Sequence, residues 1–219
     1  MNIPAHLLPA GWLIVAHVVF AMVLVPAVRR APWGRLRSDR DQHVFLGSVV
    51  GLLLLWSLEA GIAPGLGFHF LGATVVTLMF GWPLAVIALS LASLATAAMA
   101  GSLEALSVNA LLLGVLPVTV SYAIWRLVSG FLPHHVFVYI FLCAFVAAIL
   151  AAGCAVLALA GLLLAAGAAP AWRVTGEYLP FLPLYLFPEG VLNGMLTTVF
   201  VGLRPQWLAT FDDESYLKR

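Results

Sequence analysis

The sequence predicts an all-α integral membrane protein with seven transmembrane helices, its N-terminus outside and its C-terminus in the cytoplasm. Three observations carry this: composition, unbroken apolar runs and the placement of basic residues. Of 219 residues, 63% are hydrophobic and 9% are charged, against about a quarter charged in a typical soluble domain. A water-soluble core in so short a chain cannot hide that much apolar surface, so the solvent is lipid. The apolar runs are continuous, as at 52–56 and 144–150, whereas a transmembrane strand alternates apolar and polar residues. A net charge of +1 points to no nucleic-acid partner.

The spans follow in order. Span one covers about 11–28 and span two about 44–62. The turn at 63–67, with Pro64 and two glycines, separates span two from span three at 68–80. Gly81-Trp82-Pro83 makes the next tight turn. Span four is 84–100, span five 106–128, span six 136–166 and span seven 183–203. Span six is too long for one upright crossing and too short for two, so it reads as one tilted helix, loosened near Gly153 or Gly161. Residues 1–205 form the membrane domain and 206–219 a short cytoplasmic tail. Cys143 and Cys154 sit in one apolar run. On a helix they would be roughly 16 Å apart, too far for a disulfide.

Basic residues fix the orientation. Residues 1–26 contain no Lys or Arg, and Arg29, Arg30, Arg35, Arg37 and Arg40 follow them. A signal peptide has the opposite order. Holding that loop in the cytoplasm places the N-terminus outside. With seven spans, Arg126, Arg204, Lys218 and Arg219 are also cytoplasmic and only Arg173 is external. The chain is expected in a bacterial inner (plasma) membrane, surrounded by the lipid bilayer.

Polar groups are costly in lipid, so they mark the chemistry. The segment from Met1 to His6, Glu59, His69, Glu104, Asn109 and Glu189 all gather toward the outer side on this topology. Glu104 reads as a solvated loop residue, Glu59 as a side chain that snorkels to the interface, and His134 and His135 as structural. His17 divides between packing and function. His69 lies in Gly67-Phe68-His69-Phe70-Leu71-Gly72, and Glu189 lies between Pro188 and Gly190. Gly190 and Gly194 form a small-residue stripe suited to close helix contact. An imidazole facing a free chain terminus suggests a transition metal, because neutral amine and imidazole nitrogens suit late first-row ions. A deprotonated backbone amide beside the amine would complete a planar nitrogen set, which copper(II) and nickel(II) favour. This requires Met1 to be retained, as expected before the bulky Asn2.

The motifs resemble a known family, the cobalt/nickel substrate-binding membrane subunit of energy-coupling factor transporters, CbiM or NikM. Met1-Asn2-Ile3-Pro4 followed by Pro9 is similar to its Met-His-Ile-Pro opening. GFHFLGAT at 67–74 resembles its Gly-x-His-x-x-Gly segment, and SVNALLLGVLP at 107–117 its Asn-Ala-Leu-x-x-Gly stretch. Residues 182–190 with Leu203-Arg204-Pro205 resemble its last helix. The resemblance implies capture of an ion from outside by the terminal amine, the second residue and a third-span histidine. Carried over, the ligands are Met1, Asn2 and His69, with Asn2 standing where the family has His. His6 is a further candidate that folds in. Asn109 and Glu189 are expected to support the ligands. The expected cargo is nickel, cobalt or copper, with no other cofactor. No phosphate-cradling Gly-rich loop with Lys occurs. ATP hydrolysis is therefore expected from separate ATPase subunits, alongside a transmembrane coupling subunit. The chain reads as no enzyme, since it has neither a His-Glu-x-x-His helix nor a nucleophile motif. Two other readings compete. One is a diverged accessory or assembly subunit of another membrane complex, which Asn2 favours. The other is a haem span pair using His17 and His69.

Overall fold

The structure, a computed structural model, describes residues 1–217. Helix α1 (Ala10–Arg30) follows Pro9 and ends on Arg29 and Arg30, which complement the helix dipole. Helix α2 (Asp39–Ser57) is capped by Ser38, whose Oγ accepts the Asp41 N–H at 3.1 Å. Strands β1 (Ala60–Ala63) and β2 (Leu66–Phe68) form an antiparallel hairpin pairing Ala60 with Phe68 and Gly61 with Gly67. Then come α3 (Ala73–Met99), α4 (Leu103–Phe131), α5 (Val136–Ala165), α6 (Ala171–Leu203) and the short α7 (Asp213–Leu217). Among the described residues, α1, α3, α4, α5 and α6 are long and apolar enough to cross a membrane. Helix α2 carries Asp39, Arg40 and Asp41 in its first turn, leaving 44–57 as its apolar length, roughly 21 Å.

Helix α3 is two helices. Gly81, at φ 73° and ψ 173°, breaks it, in a region open to glycine and closed to most side chains. Pro83 removes a further backbone donor. Both ends of α3 lie at one end of the molecule. Ala5 N–H reaches Ser102 Oγ just beyond Met99, and the Met1 amine pairs with Glu59 just before the hairpin that leads into Ala73. The chain therefore runs out over 73–80, reverses at Gly81 and returns over 82–99. Residues 73–80 span only about 12 Å of helix.

The carbonyls of Leu78 and Met79, orphaned by the break, accept the N–H groups of Thr210 and Ala209 at 3.3 and 3.0 Å. Thr210 Oγ1 also meets Tyr139 Oη at 2.7 Å, and Phe211 and Tyr216 pack on the Tyr139 ring. The segment after 205 is thus fastened under the bundle. Lys218 and Arg219, counted in the charge argument, lie outside the described residues.

Several expectations are corrected. The fold is not wholly α: span two stops at Ser57, and residues 60–68 form the hairpin because Gly61, Pro64, Gly65 and Gly67 disfavour helix. Span three is helical only from Ala73. Span six is one continuous helix, and its loosening is a wide π-helical stretch at Tyr139–Val146, not at Gly153 or Gly161.

Candidate metal site

The N-terminus tucks into the bundle. Met1 and Ile3 are fully buried. The Met1 ammonium forms an ion pair with Glu59, at the junction of α2 and β1. A Cβ on Gly67 would collide with that carboxylate, so glycine there makes room for it. Ile3 is held on both sides by Asn109: its N–H donates to Oδ1 at 2.9 Å, and its carbonyl accepts from Nδ2 at 3.1 Å. Tyr185 Oη approaches Met1 Sδ at 3.9 Å. Tyr178 donates to the Gly67 carbonyl and stacks on Phe68, tying β2 to α6. Together these contacts fix the first three residues.

His69 is buried between β2 and α3. Its Nδ1 donates to the Phe70 carbonyl at 3.3 Å, which leaves Nε2 as the bare acceptor. Nε2 is buried and has no hydrogen-bond partner. The Trp56 ring lies 5.1 Å away, and Trp56 Nε1 donates to the Leu71 carbonyl. A cavity of about 350 Å³ adjoins His69, walled by Leu58, Ile62, Phe68, Tyr185 and Pro188.

Burial lowers the titration of the Met1 ammonium, and the charge and hydrogen bond of Glu59 raise it part of the way back. Burial pushes His69 down to about 3, and the N-terminal ammonium acts in the same direction. The imidazole is therefore uncharged at neutral pH. An uncharged imidazole with a bare, buried Nε2 is prepared to ligate.

Glu189 sits below. Its carboxylate is buried and accepts the N–H groups of Leu71 at 2.9 Å and Gly72 at 3.0 Å. Asn193, one turn on, donates to the same carboxylate at 2.8 Å and accepts the Val75 N–H at 2.9 Å. This bracket satisfies the N–H groups of Leu71 and Gly72, just before the 73–80 helix, and of Val75 in its first turn, and it ends two residues from His69.

Of the residues singled out from sequence, the structure brings together Met1, Ile3 with Asn109, and His69. Asn2 is half-buried between two buried neighbours. His6 is exposed in the turn Ala5–Leu7 and does not fold in. Glu189 bonds the backbone after His69 rather than the amine or Asn2. Glu59 does not snorkel freely; it pairs with the amine. Among the described residues no three His, Cys, Asp or Glu side chains could hold an ion, so a site here must enlist the backbone.

The model of the cobalt uptake substrate-specific transmembrane region, CbiM, matches residues 2–207. The chain belongs to the CbiM family. Two solved structures share the fold of this CbiM-family chain. One is the crystal structure of a truncated transition metal transporter, 21% identical, covering 92% of this chain and 99% of that one with a TM-score of 0.76. The other is the crystal structure of a transition metal transporter, 20% identical, covering 93% of each chain with a TM-score of 0.76. At this identity the likeness establishes the fold. No curated protein matches the sequence. Membership makes the CbiM-family chain a multi-pass membrane protein of transition-metal uptake and not an enzyme.

Sequence reasoning missed Trp56, Ser102, Tyr178, Tyr185 and Asn193. Only Asn193 carried a usable signal: it lies four residues past Glu189, on the same helix face.

Proposed function

We propose that this chain is the substrate-binding component for uptake of a cobalt- or nickel-type ion, captured from the outer side. The observation that carries this reading is a buried terminal amine beside an unpartnered imidazole nitrogen, in a chain of the CbiM family. The ligands are the Met1 amine, His69 Nε2 and the Asn2 amide, either its backbone nitrogen or its side-chain oxygen. Asn109 holds the ligand-bearing strand, and Glu189 with Asn193 holds the His69 segment. Capture requires the ammonium to lose its proton and leave Glu59.

The seven crossings are α1, α2, the two halves of α3, α4, α5 and α6. Positive charge on the α1–α2 loop places the N-terminus outside and the C-terminus in the cytoplasm of an inner membrane. A coupling subunit and ATPase subunits supply the energy. Titration calorimetry with Ni(II) tests the site. His69→Ala abolishes binding, and one extra residue before Met1, which moves the amine about 3.5 Å, weakens it nearly as much. Unchanged affinity in both variants would refute the reading. Asn2 in the family's His position favours a second reading, an accessory subunit that keeps the fold without the cargo. In that case the parent binds no metal.

A further inference from the structure

Glu59 has a place in the site that its ion pair with the amine does not exhaust. The hairpin pairs Ala60 with Phe68 and Gly61 with Gly67. Carried one residue past the strands, the same register sets Glu59 opposite His69, where regular cross-strand neighbours have Cβ atoms about 4.5–5.5 Å apart. The N-terminus lies against this end of the hairpin. A Cβ at Gly67 would collide with the Glu59 carboxylate, and one at Gly65 would stand 3.9 Å from Ile3 Cα. With no side chain at either glycine, residues 1–3 come close and the Met1 amine meets Glu59. The Met1 side chain is wholly buried and that of Glu59 is 40% exposed, so the carboxylate stands between solvent and the amine.

The pairing distance suits a shared ion. An ammonium nitrogen and a carboxylate oxygen in contact are normally about 2.7–2.9 Å apart. Two ligands at right angles on one ion, each about 2.1 Å from it, are separated by about 3.0 Å. An ion can therefore replace the shared proton with little movement of either atom. The charge suits it too. Amine and imidazole are neutral donors, and a divalent ion held by them alone would take its full charge into a buried site, at a cost. Glu189 is already committed to the Leu71 and Gly72 N–H groups and to Asn193. Glu59 is the carboxylate in contact with the amine.

We infer that Glu59 is itself a ligand of the captured ion: once the ammonium has given up its proton, a Glu59 carboxylate oxygen binds the ion beside the Met1 amine and His69 Nε2 and supplies the negative charge there. The assignment rests on metal capture at Met1 and His69 as proposed above.

The test is Ni(II) calorimetry and X-ray absorption on the parent, Glu59→Gln and Glu59→His, each bearing its native N-terminus. A carboxylate that only held the ammonium would compete with the ion, so its loss would leave binding unchanged or tighter. As a ligand, its loss in Glu59→Gln weakens binding by more than about 100-fold, the upper end for an outer-shell change. In Glu59→His the ring takes the place of the carboxylate, and the loaded protein shows two imidazoles around the ion where the parent shows one. A Glu59→Gln affinity within about 100-fold of the parent, or a single imidazole around the ion in Glu59→His, would overturn the ligand while leaving capture by Met1 and His69 intact. A parent that binds no Ni(II) would overturn the capture reading and this assignment with it.

Discussion

Replacing Glu189 by Ala removes the acceptor for two buried N–H groups, those of Leu71 and Gly72. It also removes one of the two acceptors of the Asn193 amide, which keeps its bond to the Glu189 main-chain carbonyl. A buried donor left without a partner costs about 1–3 kcal/mol, so the two backbone groups together cost about 2–6 kcal/mol. Glu189→Gln keeps one acceptor oxygen and turns an NH2 toward the other donor, so it costs about half as much. The donors lie on the two residues just before the 73–80 helix, and Leu71 is two residues from His69. Loosening them disturbs the ligand as well as the fold, and outer-shell changes of this kind lower metal affinity about 10–100-fold. The assay is thermal unfolding in detergent paired with Ni(II) calorimetry at a temperature where each variant is folded. The expected order in both is parent, then Gln, then Ala. Equal melting temperatures for parent and Ala would refute the claim that the carboxylate satisfies these donors. A stability loss with unchanged affinity would refute its link to His69.

Metal binding should weaken about tenfold per pH unit below the titration of the Met1 amine, which burial places under the ordinary 8.0. His69, held near 3, adds no dependence near neutral pH, so affinity profiles centred on an ordinary histidine value of 6.5 would contradict the burial argument. Gly67→Ala drives a methyl into the Glu59 carboxylate and should break the ion pair with the amine. Fluorescence from a dye attached at position 2 should report a released N-terminus, and an unchanged signal would count against the packing described. Ser38→Cys should resist an impermeant thiol reagent in intact cells and react in inverted vesicles; labelling from outside would reverse the orientation.

The apolar runs made the helices legible, since continuous hydrophobicity at membrane length has few other meanings. Gly81-Trp82-Pro83 marked the break within α3, because glycine and proline act on the local backbone. The hairpin at 60–68 was not legible as strands. Its apolar residues extend the run of α2, and what makes them strands is their pairing with each other, held by Tyr178 on the Gly67 carbonyl. The site was half legible. Met1 and His69 stood out, the one as a terminus and the other as an imidazole among apolar residues. The Glu59 pairing was hidden because its partner is a backbone amine 58 positions away. Glu189 was recognised as important, but its contacts were not legible, since nothing in the sequence showed that 69–72 leaves the helix and exposes its N–H groups. His6 looked like a ligand only while the path of residues 4–8 was unknown.

On the proposed function, the Met1 amine and His69 hold one transition-metal ion. The most direct measurement is Ni(II) titration of the parent, bearing its native N-terminus verified by mass, with X-ray absorption of the loaded protein and of Asn2→His. The parent should bind one ion per chain through a single imidazole and further light N/O donors, with tighter binding and a second imidazole in Asn2→His. A parent that binds no ion, beside an Asn2→His variant that does, would contradict it and make this chain a CbiM-family member without the cargo.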